Sequence, residues 1–371
     1  MKIMTDNPTT VKRFGAKGDG ATDDTAAVQA AVDCCADANL TLAVPPGTYF
    51  CTKPITATGN FHLFGSGVRN TVFHFPTNAG FAFTLPDQFH SVHLRDFSVL
   101  GASADTGNAA IKLHNAADAI PNPANTALSD ITNVCICGAD YPATTHYWTC
   151  GIDIENVSNV NLCNVMVTGS ALPQGVGLSV HGTVDLPPVV FNFTDCTFNY
   201  LTSGIEYGDY VQGVTITGSN FTGCCVGVDA GPDLTGLDQL SVSNSQFNCS
   251  MAAINTRSFI PDFTFNGNVV FISGPETGQA VGLNLVQAHR GAVVGNCFSG
   301  FNSHERTFGV VVYANLGAGI VVSGNSFHNL GAGIVLRGKS KGNKVQSNVY
   351  SDVISQVANY SPDNRVGGGS Q

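Results

Sequence analysis

Charged side chains are scarce in this chain. Asp, Glu, Lys and Arg make up 11% of its 371 residues, less than half of the roughly 25% usual in globular domains. The few present lean acidic, 26 Asp+Glu against 16 Lys+Arg, for a formal net charge of −10. There is no basic run, so the electrostatic footprint that phosphate backbones require is missing and nucleic acid is excluded as a partner. No uninterrupted apolar stretch of about 18 residues occurs, which excludes a membrane-spanning helix. The N-terminal Met1-Lys2-Ile3-Met4-Thr5-Asp6-Asn7-Pro8 lacks the apolar core of a leader peptide. The expectation is synthesis in a reducing cytoplasm without a secretion signal. Trp occurs once and Met four times, whereas Gly (42) and Phe (23) are plentiful. A 43% hydrophobic fraction is too apolar for a disordered chain. Abundant Gly with little charge implies a turn-rich fold whose surface is mostly Ser, Thr, Asn and Gly.

The twelve cysteines do not read as a disulfide framework. Cys34-Cys35 and Cys224-Cys225 are adjacent, Cys135-x-Cys137 lies in a strand-like apolar run, and no paired C-x₂-C zinc pattern is present. Cys163, Cys196 and Cys297 sit among apolar strand residues and read as small buried apolar side chains. No metal and no cofactor is expected.

From about residue 80 the chain repeats itself. A small residue, an apolar residue, a variable one and usually a second apolar one recur. Examples are Gly151-Ile152-Asp153-Ile154, Gly177-Leu178-Ser179-Val180, Gly204-Ile205-Glu206-Tyr207 and Gly227-Val228-Asp229-Ala230. From Ile152 the apolar position advances by 26, 27, 23, 26, 29, 27 and 24 residues. A second column keeps step: Phe198, Phe221, Phe247, Val270, Phe298, Phe327 and Tyr350. Two residues before each stands Cys196, Ser219, Ser245, Asn268, Asn296, Asn325 or Asn348. A period near 25 with short alternating strands and no helical periodicity between them means a parallel β-solenoid. Coils stacked about 4.8 Å apart make the Phe column an internal aromatic stack and the Asn/Ser column a set of corner hydrogen bonds. The recurring Gly is expected to permit a sharp bend.

One cover for the open ends of such a stack is legible. Asp23-Asp24-Thr25 followed by Ala26, Ala27, Val28, Ala30, Ala31 and Val32 predicts a helix from Asp24 to about Asn39. The expected organisation is an N-terminal tail (1–10), an N-terminal cap (11–50), a β-helix of about ten coils (51–350) and a polar C-terminal tail (351–371).

The segment Val11-Lys12-Arg13-Phe14-Gly15-Ala16-Lys17-Gly18-Asp19-Gly20-Ala21-Thr22-Asp23-Asp24-Thr25, with Val44-Pro45-Pro46-Gly47-Thr48-Tyr49, closely resembles the opening motif of the pectate-lyase-like right-handed β-helix superfamily. That resemblance implies an all-β, single-stranded right-handed parallel β-helix with an α-helical cap. Members include polygalacturonases, pectin and alginate enzymes, and phage tailspikes that cleave host surface polysaccharide. Asp19, Asp23 and Asp24 are assigned to loop and cap hydrogen bonds, not catalysis. Beyond the opening motif, with its Asp23-Asp24, the Asn-Thr-Asp, Asp-Asp, Gly-His-Gly and Arg-Ile-Lys blocks of polygalacturonases and the Asp-Pro-His of alginate epimerases are absent. By elimination the chain looks most like a phage tailspike or related virion depolymerase. The resemblance then implies a homotrimer on a phage tail or baseplate, made in the host cytoplasm and acting on bacterial surface polysaccharide outside the cell.

The repeat also locates candidate chemistry. In each small-apolar-x-apolar strand, x and the residue two further on point outward. Read up the stack, one outer face gathers Asp153, Glu155, His181, Glu206, Asp229, Asn255 and Arg257. Carboxylates one coil apart stand about 5 Å apart, and two coils apart roughly 9–10 Å, spanning what retaining and inverting glycosidases use. Glu206 is read as general acid and Asp229 as base or nucleophile, with Asp153 or Glu155 as the competing partner. His181, Arg257 and Asn255 are read as contacts for sugar hydroxyls or acidic substituents. Outward acids that merely solubilise the sheet are the alternative. The loop at 139–150 carries Tyr141, His146, Tyr147 and Trp148, aromatics suited to stacking on sugar rings. The alternatives for Trp148 are anchoring the loop or filling a subunit interface. Loops 114–128 and 300–308, the latter with His304-Glu305-Arg306, are candidate groove walls. Outward Val286, Val311, Tyr313 and Val335 predict an apolar surface for self-association. The functions in play are an endo-glycosidase, a polysaccharide lyase, and a virion protein of the same shape that binds or builds without cleaving.

Overall fold

Asp24 closes the N-terminal segment. In the computed structural model, which describes residues 9–103, 107–118, 125–142, 145–231, 233–273, 278–301, 305–314 and 319–367, its buried carboxylate accepts the Lys17 N–H at 2.6 Å and the Gly18 N–H at 2.8 Å. Asp19 accepts from the Ala21 and Thr22 amides, and Asp23 from the Thr25 amide and the Thr52 hydroxyl. All three acids of the opening motif are thus used in loop and cap bonding, as expected. The helix α1 (Thr25–Ala38) buries Val28, Ala31, Val32 and Cys35, the i, i+3, i+4, i+7 stripe of a one-sided helix. It ends on Asn39 in the left-handed region. Its Gln29 side chain donates to the Thr56 carbonyl at 2.8 Å and accepts the Thr56 amide at 2.9 Å. One side-chain amide therefore replaces the strand neighbour that Ile55–Thr58 lacks on that side, which blunts an otherwise open edge.

The chain divides into two compact units, Met1–Ser179 and Val180–Gln371. In the first, parallel registers run Ile55 to Phe81 to Ile111 to Ile152. Its core is aromatic: Phe73 and Phe81 meet edge to face at 4.9 Å, and Phe61 stacks on Phe83 at 5.3 Å. The strands Thr41–Ala43 and Gly47–Phe50 already pair with Phe61–Phe64 and Thr71–Phe75. Coiling therefore begins inside the stretch assigned to the cap. The architecture is the expected right-handed parallel β-helix, with about 12 turns instead of about ten.

In the second unit the aromatic column stacks nearly parallel. Phe221 lies 4.6 Å from Phe247 at 3°, and Phe298 lies 5.0 Å from Phe327 at 7°. Where the column holds Val270, Phe265 from the neighbouring strand bridges Phe247 and Phe298 at 5.8 and 6.2 Å. The recurring glycines serve this column rather than a bend. A Cβ on Gly204, Gly227, Gly282 or Gly309 would lie 2.5–2.8 Å from the ring of Phe221, Phe247, Phe298 or Phe327. The amide column works as expected: Asn296 Oδ1 accepts the Asn268 N–H at 2.8 Å while its Nδ2 donates to the Phe265 carbonyl at 2.8 Å, and Asn325 repeats the pattern.

The expected C-terminal tail is strand for much of its length. Val349–Asn359 pairs with Ser326–Gly338, and Arg365–Val366 pairs with Lys344–Gln346. Its small polar residues, which read as a tail, are the outward positions of a further coil. Among the described residues no helix is long and apolar enough to cross a membrane. The cysteines are free. Cys196 is buried as expected and Cys163 is half-buried. Cys297 points outward and is exposed, which corrects the reading of it as a buried apolar side chain.

Candidate active site

The outward column of the second unit runs in strict register from Glu206 to Asp229, Asn255, Asn284, Val311 and Val335. A second column, Val226, Ala252, Val281, Phe308 and Ala332, keeps the same register a few residues earlier on the same strands. Between the two columns lies a groove of about 330 Å³, lined by Val226, Ala252, Asn255, Asn284, Val311 and Arg337 among others. One end of the outward column is acidic and amide-rich, the other apolar.

At the polar end the two carboxylates have unlike surroundings. Asp229 accepts Asn255 Nδ2 at 2.8 Å, and the Arg257 guanidinium lies 3.1 Å from its Oδ2. Asn255 is held in turn, its Oδ1 accepting Asn284 Nδ2 at 2.8 Å. Among the described residues no cation is paired with Glu206. Burial raises its carboxyl above the ordinary Glu range, and the charge of Asp229 adds to the rise. The Ser203 hydroxyl offsets part of this. Paired strands place the two side chains about 4.8 Å apart along the stack. A carboxyl biased to stay protonated thus stands beside one that is ion-paired with Arg257, an asymmetry of surroundings of the kind that acid–base catalysis uses.

The remaining sequence candidates divide. His181 is half-buried and stands over Gly208, where a Cβ would come within 2.7 Å of the His181 Cβ. Gly208 lies two residues past Glu206, so His181 belongs to the same wall. Asp153 and Glu155 belong to the first unit and are matched by the Lys112 cation, with His114 beside Glu155. Lys112 Nζ lies 3.4 Å from Asp153 and 2.8 Å from Glu155, and His114 Nδ1 lies 3.1 Å from Glu155. Glu155, as hydrogen-bond partner, raises the Lys112 pKa further, so this lysine is no general base at neutral pH.

Trp148 does not present a ring to solvent. It is 2% exposed and packs edge to face on Phe75 at 6.3 Å. The loop folds inward because Asn78 donates to the Tyr147 carbonyl at 2.9 Å and Tyr147 N donates to the Ser103 carbonyl at 3.2 Å. Trp148 and half-buried Tyr147 therefore anchor the loop, which corrects the stacking role for Trp148. Tyr141 alone of the three stays open, 43% exposed, over a hollow of about 500 Å³ shared with Arg69, Cys135, Cys137 and Met166. The apolar surface expected for self-association is likewise used within the chain. Val311 and Val335 are 7% and 1% exposed and pack with Phe308 and Ala332. Of that set only Tyr313 is exposed, at 40%. His304 and residues 119–124 of the other proposed walls lie outside the described residues. Asn284, which spacing places in the outward column one coil beyond Asn255, is not among the expected site residues, yet it holds Asn255 in place.

Residues 9–229 match the model of the family described as rhamnogalacturonase A/epimerase, pectate lyase-like. The chain belongs to this family. Over 70 residues this pectate-lyase-like protein is 39% identical to the preneck appendage protein of Bacillus phage PZA, a match that covers 19% of the chain and 8% of the phage protein's length. The A-module of the mannuronan C-5 epimerase AlgE4 of Azotobacter vinelandii shares the fold at a TM-score of 0.59 and 16% identity, covering 97% of this chain and all of that one. The catalytic domain of a GH87 alpha-1,3-glucanase in complex with nigerose does so at a TM-score of 0.65 and 12% identity, covering all of this chain and 70% of that one. At such identities the pectate-lyase-like fold is shared, and the reaction is a property of the site.

Proposed function

We infer that this protein binds a bacterial surface polysaccharide along the outward column of its second unit that carries Glu206 and Asp229, and hydrolyses it internally. Glu206 is the general acid that protonates the leaving glycosidic oxygen. Asp229, one strand away, is the nucleophile. A separation near 5 Å suits double displacement with retention, for which carboxyl groups about 5–5.5 Å apart are used. Arg257, Asn255 and His181 orient hydroxyl or acidic substituents; Tyr141, in the first unit, offers an exposed ring for glycan at its own hollow. The observation that carries the reading is the unequal environment of two carboxylates in direct register. The phage appendage relative supports a place on a virion, with synthesis in the host and action at the host surface. A homotrimer remains part of this reading, although Val311 and Val335 no longer argue for it.

A reducing-end assay on capsular and O-antigen polysaccharides tests it. Glu206→Gln and Asp229→Asn should each lower chain scission by about 10²-fold or more, and turnover unaffected by both would eliminate the site. One observation favours a second reading, binding without cleavage: Asp229 is already engaged by Asn255 and Arg257. Retained glycan binding with no new reducing ends in the native protein would select that reading. A rise in absorbance near 235 nm from unsaturated products would select a lyase.

A further inference from the structure

The first unit carries a second constellation, remote in sequence from the acid pair and made of different chemistry. His62, His93 and Asp130 occupy one outward column in register. His93 Nδ1 is hydrogen-bonded to Asp130 Oδ1, and His93 Nε2 lies 3.2 Å from the Ser91 hydroxyl oxygen. An ionised carboxylate can only accept, so Nδ1 carries a ring proton, and in the neutral ring Nε2 is the acceptor facing the Ser91 hydroxyl. The His62 ring meets His93 edge to face at 4.6 Å and limits its rotation. Asn60 Oδ1 accepts the Ser91 N–H at 2.9 Å. That bond fixes the Asn60 amide beside Ser91, with its own N–H donors as the type of group that stabilises an oxyanion.

We propose that Ser91, His93 and Asp130 form a nucleophile–base–orienting triad that hydrolyses O-acyl esters. Ser91 Oγ bonds to the acyl carbon while its proton passes to His93 Nε2. The ester C–O bond then breaks, and the departing alcohol takes that proton. Water next attacks the acyl-Ser91, giving its proton to His93. The acyl–Oγ bond then breaks, the proton on His93 passes to Ser91 Oγ, and the carboxylic acid leaves. The balance is ester plus water to alcohol plus acid, with no redox change. Asp130 is the positioning residue, since it acts only through the imidazole. The site lies on an open ladder surface. Side chains of His93 and Asp130 are 24% and 22% exposed, Phe89 two residues before Ser91 is 69% exposed, and the Arg95 guanidinium lies over the Phe64 ring at 4.9 Å. Such a surface suits an acyl group carried on a long polymer, and Arg95 suits one whose backbone is acidic. The proposal is independent of chain scission by Glu206 and Asp229, because its product is a free carboxylic acid and not a reducing end.

The test is labelling of the intact native protein with a fluorophosphonate probe, peptide mapping of the adduct, and hydrolysis of p-nitrophenyl acetate and of an O-acetylated polysaccharide. The expected results are one adduct on Ser91 and acetate release that Ser91→Ala and His93→Ala both remove. Asp130→Asn should lower kcat on the order of 100-fold or more with KM nearly unchanged, a split that a purely structural role would not give. Absence of an adduct, an adduct on another serine, or hydrolysis that persists in Ser91→Ala overturns the proposal. The labelling result decides the matter even if a variant fails to fold.

Discussion

Glu206 and Asp229 are directly paired residues of adjacent parallel strands, yet only Asp229 is matched by a cation. The outward column therefore sets a carboxyl disposed to keep its proton next to one that is ion-paired with Arg257.

The first expected consequence concerns pH. Glu206 titrates above its ordinary 4.5, with burial the larger cause and Asp229 the smaller. In Asp229→Asn the Glu206 pKa should fall yet stay above 4.5, read by NMR titration of its carboxyl carbon. A raised native pKa means that the folded state binds more protons than the unfolded one. Stability contributed by Glu206 is then full below 4.5 and lost as pH rises through the raised value. Glu206→Gln should flatten this slope, so its melting temperature relative to the native protein should be higher at pH 7 than at pH 4. In the cleavage assay the same variant should lose about 10²–10⁴-fold.

Glycines in the aromatic column should be intolerant of one methyl group. Gly227→Ala places a Cβ 2.5 Å from the Ala253 carbonyl oxygen and 2.7 Å from the Phe247 ring, and should cost about 1–3 kcal/mol. At Gly231 the nearest atom is the end of the flexible Arg257 side chain at 4.0 Å. Gly231→Ala should stay within about 0.5 kcal/mol. Urea unfolding of both variants compares the two directly, and equal stabilities would refute the packing explanation.

The buried amide column should be costly to interrupt. Asn296→Ala leaves the Asn268 N–H and the Phe265 carbonyl without their side-chain partner. Two unsatisfied buried groups should cost about 2–4 kcal/mol. Loss of amide-exchange protection at Asn268 is the local readout.

Trp148 should report the core of the first unit and not ligand. It is the single Trp of the chain, so the emission of the native protein should be blue-shifted, resistant to acrylamide quenching and unchanged by polysaccharide. Trp148→Ala should destabilise by about 3–5 kcal/mol, whereas Tyr141→Ala should weaken glycan binding with little loss of stability. Quenching of the native emission by glycan would contradict this assignment.

Much of the architecture was legible because a stack converts spacing into contact. Phe221 and Phe247 are 26 residues apart in the chain and 4.6 Å apart in space. Outward side chains alternate with inward ones, so Glu206 and Asp229 were legible as neighbours from spacing alone. The recurring Gly was visible but its reason was not, since what it touches is a ring one coil away. The coil at Val349–Asn359 was missed because its outward residues are as polar as a tail.

What the linear order determined by itself is therefore the period, the cap and the face of each strand residue, all of which follow from local geometry repeated. Only the folded chain decided which outward groups are neutralised, as Lys112 does for Asp153 and Glu155, and which apolar ones are covered, as with Val335 and Trp148. Those outcomes depend on side-chain reach across strands and on loops folding back, and neither is written into a one-dimensional spacing.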